Sequence, residues 1–230
     1  MGSIESLKQE HTSKRPNIKE RLSHFERFFN EPVHWVYTGS DIKLMPSEKS
    51  DDQRIFEELS FCIFTANTSA EMGAKAVDTI REILTDGTSE DMTKKLKGVY
   101  RFINLRPAYI VHTREHFKNA LNFKIKDKIK SFKNMNELRD YFVMNVKGLG
   151  MKEASHFLRN IGFKGYGILD KHIINSMHEF GVLKTNDKPK NAKNYLEIEQ
   201  KLIDFSKQIG IDIDELDLLL WSRKNGKILK

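Results

Sequence analysis

The chain has a single cysteine among its 230 residues, Cys62. That count excludes an intramolecular disulfide, a cysteine-built zinc site and a four-cysteine iron–sulfur cluster. Cys62 sits in the apolar run Phe61-Cys62-Ile63-Phe64, where a thiol serves as a small buried hydrophobe. Long apolar runs are also missing. None approaches the roughly 20 residues that cross a bilayer, and the N-terminus has no hydrophobic signal region. The expectation is an intracellular protein with no membrane association. Strand-type alternation is scarce as well, which leaves the helical period as the dominant pattern.

What is present is positive charge. Lys and Arg number 39 against 32 Asp and Glu, a net charge of +7, so a polyanionic partner gains weight. A Lys-rich composition with no such partner is the bland alternative. At 230 residues, 39% of them hydrophobic, the chain can bury a real core as one domain or as two small ones wrapped together.

The pattern predicts a mainly α protein. Residues 1–15 are polar and expected to be loose, with a helix starting at Pro16 and ending before Pro32. Val33–Tyr37 is the one strand candidate. Helices are expected from about 50 to 66, from the Thr68-Ser69 cap to about Leu84, and briefly after Thr88. Val99 to Asn122 reads as two helical pieces parted by Pro107. The Lys-dense stretch 122–134 reads as a solvated face. Further helices are expected over 134–146, from 151 to about 161, from about Asp170, over 193–208 and over 213–221, followed by a basic tail. The division expected is residues 1–50 packing with the C-terminal helices, 51–183 as a lobe around a hairpin, and 184–230 completing the other lobe.

Two amphipathic helices joined by Lys147-Gly148-Leu149-Gly150 make a helix-hairpin-helix element. Glycine lets the backbone turn tightly and approach a phosphate. The first amides of the second helix have no intrahelical partner and carry the positive end of the dipole, so they can hold an anion. Leu149 is expected to point inward. Such an element grips backbone rather than bases. As a glycine pair alone, it is more often a plain αα corner. Lys152 follows in the first turn. An amine there faces the positive end of the dipole, and only its neutral form is a nucleophile; most lysines in such places are inert. Asp170 comes eighteen residues later. Its ordinary use is an N-cap, and its chemical use is to stabilise an oxocarbenium-like sugar.

At this point the sequence resembles the helix-hairpin-helix DNA glycosylases, and more closely the type-2 8-oxoguanine DNA glycosylase/AP lyase family of archaea and some bacteria. The matching stretches are Thr65–Ala70, Lys147–Asn160, Ile168–Ile173 and Leu220–Lys230. The resemblance implies a two-lobed helical fold and a bifunctional enzyme. By it, Lys152 matches the Schiff-base lysine, Asp170 the catalytic aspartate and Asn67 the residue that fills the gap left by a flipped nucleotide. It implies base recognition by Trp221 and by the main-chain carboxylate of Lys230, with Phe102 as an opposing face. It also implies double-stranded DNA containing an oxidised guanine or abasic site as the partner, a monomer, and no metal or organic cofactor. Related hairpins bridge carbonyls and phosphate with a monovalent cation.

Two rival readings compete. One is a non-catalytic hairpin protein that only binds DNA. The other is a zinc peptidase, since His112-Thr113-Arg114-Glu115-His116 fits H-x-x-E-H. Five-residue patterns arise by chance, and no convincing third ligand follows.

Overall fold

A computed structural model describes residues 2–39, 41–223, 226, 228 and 230 of the chain. Part of the basic tail, Lys224, Asn225, Lys227 and Leu229, lies outside the described residues. The described residues are mainly helical, and none of the helices is long and apolar enough to cross a membrane.

The chain begins with α1 (Ile4–Asn30), which absorbs most of the segment expected to be loose. Ser3 caps it by accepting from Ser6 N. Leu7 is buried, and His11 and Arg15 reach Glu215 at 2.6 and 3.1 Å. The polar pattern of 1–15 hid this, because the partners lie 200 residues away. Pro16 falls inside the helix rather than at its start. Its missing N–H and fixed ring disfavour an interior site, and the packing of α1 along the last helix outweighs that preference.

Val33–Tyr37 forms β1 as expected, and Ile42–Pro46 forms an antiparallel partner, β2, that the alternation does not announce. A buried central helix, α2 (Asp51–Thr65), follows. Ser50 and Gln53 close a capping box at its start. Almost every side chain from Arg54 to Thr65 is buried, because α3, α5, α6 and α8 surround it. α3 (Ala70–Ile80), capped by Ser69, runs into a 3-10 turn, and α4 (Ser89–Leu96) is capped by Thr88.

Only one helix, α5 (Arg106–Leu121), occupies the stretch read as two. Pro107 lies in its first turn, where no intrahelical amide partner is needed, and residues 99–105 are a loop. α6 (Ile125–Lys130) buries Ile125 and Ile129 and keeps Lys124 and Lys130 exposed, so the Lys-dense stretch is an outer face. α7 (Met135–Asn145), α8 (Met151–Asn160), α9 (Lys171–Glu179), α10 (Ala192–Ile209) and α11 (Ile213–Ser222) follow the predicted boundaries closely. α1 packs on α11, α11 on α9, and α8 on both α2 and α7. The buried apolar side chains form one contiguous core.

Candidate active site

The turn between α7 and α8 has the geometry a phosphate grip needs. Gly148 adopts φ 87°, the left-handed region open to glycine. A Cβ there would meet the Tyr109 ring at 2.5 Å. Leu149 is buried and pins the turn. Gly150 is the N-cap of α8. Lys147 places its ammonium 5.7 Å from the Tyr109 ring. Glu153 folds back so that Gly150 N donates to it at 3.2 Å, and it pairs with the Lys152 ammonium at 3.0 Å. Sequence reasoning missed Glu153, because only the glutamate half of a capping box is present and glycine has no side chain to supply the other half.

Lys152, on the first turn of α8, and Asp170, the N-cap of α9, line one cavity. Asp170 Oδ1 accepts from His172 N at 2.7 Å and Ile173 N at 2.9 Å. The loop that delivers it is held by side chains of the two last helices. Gly165 N donates to Asp214 at 3.0 Å, Gly167 N to Glu199 at 2.9 Å and Ile168 N to Asp217 at 3.1 Å. Leu169 N donates to the Tyr195 hydroxyl at 3.2 Å, which itself donates to Gly167 O at 2.6 Å. Four backbone amides between Gly165 and Leu169 are thus tied to side chains, and Asp170 is presented from a braced rather than a free loop.

The same cavity is bordered by Trp221, Lys230, His156 and Asp217. Trp221, the penultimate residue of α11, is half-buried. His156 lies one turn beyond Lys152. Burial, with Arg159 and Lys152 nearby, drives its ring well below the usual histidine range, so it is neutral. Asp217 pairs with Arg159 at 3.0 Å, yet burial raises its carboxyl to about 7. Neither His156 nor Asp217 stood out from spacing; both reach the cavity because α8 and α11 meet there, joined by the Arg159–Asp217 pair.

Asn67 and Phe102 lie apart from these groups, outside the residues that line the cavity. Asn67 is exposed at the turn before α3, with φ 65°, and its carbonyl accepts from Arg101. Phe102 is half-buried beneath the guanidinium of Arg101, 4.4 Å from the ring centroid. Arg106 links this turn to the hairpin: it donates to Ala66 O at 3.2 Å and lies beside Gly148. Asn67, Arg101 and the hairpin thus rise from neighbouring loops.

The H-x-x-E-H residues sit together on α5, but Glu115 pairs with Arg114 at 2.9 Å and Lys118 at 3.4 Å. Among the described residues no group of three or more His, Cys, Asp or Glu could hold a metal ion.

Comparison with known proteins identifies the family of the chain. A family model described as 8-oxoguanine DNA glycosylase matches residues 41–211. The 8-oxoguanine DNA glycosylase/AP lyase of Korarchaeum cryptofilum is 41% identical over 80% of this chain and 85% of its own length. That of Aquifex aeolicus is 35% identical with both chains fully covered. The crystal structure of the Methanocaldococcus jannaschii 8-oxoguanine glycosylase/lyase, in complex with a 15mer DNA containing 8-oxoguanine, has a TM-score of 0.82 at 32% identity over 99% of each chain.

Proposed function

The chain belongs to the 8-oxoguanine DNA glycosylase family, and on that premise we propose that it excises 8-oxoguanine from DNA and nicks the resulting abasic strand through a lysine Schiff base. The observation that carries the mechanism is the meeting of Lys152 and Asp170 on one cavity, each at the N-terminal end of its own helix, beside a glycine hairpin able to hold a phosphate. Base removal and strand nicking are the activities named for relatives aligned over most of the chain.

In the proposed reaction the hairpin amides hold the DNA backbone and the damaged nucleotide leaves the stack. Lys152 gives up its ammonium proton and the resulting amine attacks C1′. A carbon–nitrogen bond forms, the glycosidic bond breaks, and the base departs with the bonding electron pair and takes up a proton. The Asp170 carboxylate stabilises the positive charge that builds on the sugar. Ring opening gives an imine between Lys152 and C1′. Loss of a C2′ proton then expels the 3′ phosphate oxygen, which cuts the strand, and water releases the sugar fragment from Lys152. Trp221 and Lys230 line the cavity; Trp221 and the main-chain carboxylate of Lys230 are proposed to recognise the base there, with Phe102 as the opposing face. Asn67 is proposed to fill the gap in the duplex, and Lys147 to Gly150 to carry the backbone contact.

This chemistry uses an amine, a carboxylate and water, and calls for no metal or organic cofactor. A monovalent cation shared by hairpin carbonyls and phosphate belongs to the same proposal, as does action by a monomer inside the cell. The test is borohydride trapping on duplex DNA containing 8-oxoguanine or an abasic site. The wild-type chain is expected to become covalently attached, and Lys152→Ala and Lys152→Gln are expected to lose attachment while still binding DNA. Full trapping by both variants would overturn Lys152 as the nucleophile. A chain that binds DNA and never traps would be the non-catalytic hairpin protein instead.

A further inference from the structure

Lys230 borders two spaces at once. Its side chain enters a small space with Phe28, Trp35, Glu58 and Phe61, while the residue also lines the cavity of Lys152 and Asp170. The side chain is 1% exposed, and its ammonium pairs with the carboxylate of Glu58, 2% exposed. The ammonium stands 3.9 Å from the Phe61 ring centroid and 4.8 Å from that of Trp35. The second oxygen of Glu58 accepts from Asn160 Nδ2 at 2.7 Å. Asn160 closes α8, the helix whose first turn carries Lys152. From the same helix His156 borders the cavity that Lys230 also lines, and it meets Phe61 edge-on at 5.7 Å.

The arrangement is an expensive way to fill a core. Burial pushes the Lys230 ammonium down to about 8 and the Glu58 carboxyl up, each opposed by the other's charge. A buried pair of this kind is often no more stabilising than well-packed apolar residues of equal volume. What it supplies is position. The ammonium has one place to go, and the groups that fix it stand on α2 and α8, which also form the wall that carries Lys152.

We propose that Glu58 is a positioning residue for base recognition. By holding the Lys230 ammonium it sets where the main chain of Lys230 stands at the cavity, with Asn160 fixing Glu58 from α8. The side chain of Lys230 is thereby the anchor, and its main chain is the part that meets the base. The proposal rests on the reading that the damaged base enters this cavity. An abasic site brings no base, so its cleavage needs Lys152 and Asp170 without the grip.

The experiment measures, for the full chain, single-turnover excision of 8-oxoguanine and nicking of a preformed abasic site, side by side. Glu58→Gln is expected to slow excision by about tenfold or more, the scale of a small displacement in a reacting site, with nicking unchanged. Lys230→Met is expected to lower the ratio of excision to nicking to a similar degree, and combining the two should lower it no further than either alone. The double variant leaves no unpaired buried charge, so it keeps the test open should the single variants fail to fold. Equal loss of excision and nicking in Glu58→Gln, additive effects in the pair, or a wild-type ratio in the double variant would each overturn the proposal. A wild-type chain that excises no 8-oxoguanine yet nicks abasic DNA would instead overturn the underlying reading, and the inference with it.

Discussion

One carboxylate oxygen of Asp170 is committed to capping α9, through two amides at 2.7 and 2.9 Å. Capping and catalysis can therefore be separated by substitution. Asparagine caps a helix about as well as aspartate, whereas alanine costs ~1 kcal/mol at such a place. Asp170→Asn is expected to slow base release by roughly a hundredfold or more, the scale for removing one charge-stabilising group, while its melting temperature stays near wild type. Asp170→Ala should lose both activity and about 1 kcal/mol of stability. Excision rates and thermal melts of the two variants check this, and an unchanged excision rate in Asp170→Asn would remove the aspartate from the mechanism. The sequence offered both roles for this residue, because Asp before a helical segment is a cap on its own terms. It could not show that Lys152 shares its cavity, since eighteen residues of chain separate them and only the braced loop closes the distance.

At the scale of elements, the two glycines of the hairpin do different work. Gly148 needs both its left-handed φ and the absence of a Cβ, which would stand 2.5 Å from the Tyr109 ring. Gly150 has an extended backbone, and a Cβ there would meet only the flexible end of Glu153 at 3.3 Å. Gly148→Ala is expected to cost at least ~1–2 kcal/mol of stability and to weaken binding to DNA of any sequence. Gly150→Ala should be much milder in both. Urea melts and DNA titrations at fixed salt measure the contrast; equal effects would mean that the turn is set by something other than Gly148. The hairpin and the helices on either side of it were legible locally, because caps, glycines and apolar spacing lie within a few residues of each other. β2 and the single helix at Pro107 were less so. One needs β1 as its partner, and the other turns on proline being welcome at a first helical turn and excluded one turn later.

Across the whole molecule, buried charge sets the pH response. Asp217 touches Arg159 and Ile168 N, has Asp170 and Asp214 as like-charged neighbours, and is raised by burial from 3.8 to about 7. A carboxyl held above its unfolded value binds its proton more tightly in the folded state. Its contribution to stability is full below about pH 4 and is lost as pH rises through about 7. Asparagine does not titrate. The stability of Asp217→Asn should therefore improve relative to wild type as pH rises between these limits, whatever the offset between the two at low pH. Paired melts across this range test it; a constant difference would show that Asp217 keeps its charge throughout.

The sequence by itself determined the helical class, most helix boundaries, the hairpin and the candidacy of Lys152 and Asp170, because each is written in short-range patterns: periodicity, caps, glycines and one family's spacing. Tertiary structure alone decided that the first fifteen residues fold, since Leu7 is buried and His11 and Arg15 find their partner on α11. It alone brought His156, Asp217 and Lys230 to the cavity of Lys152 and Asp170, and Glu58 and Asn160 behind Lys230. Burial and charge pairing are properties of the packed molecule, and a polar residue in sequence gives no sign of the distant partner that will make its burial tolerable.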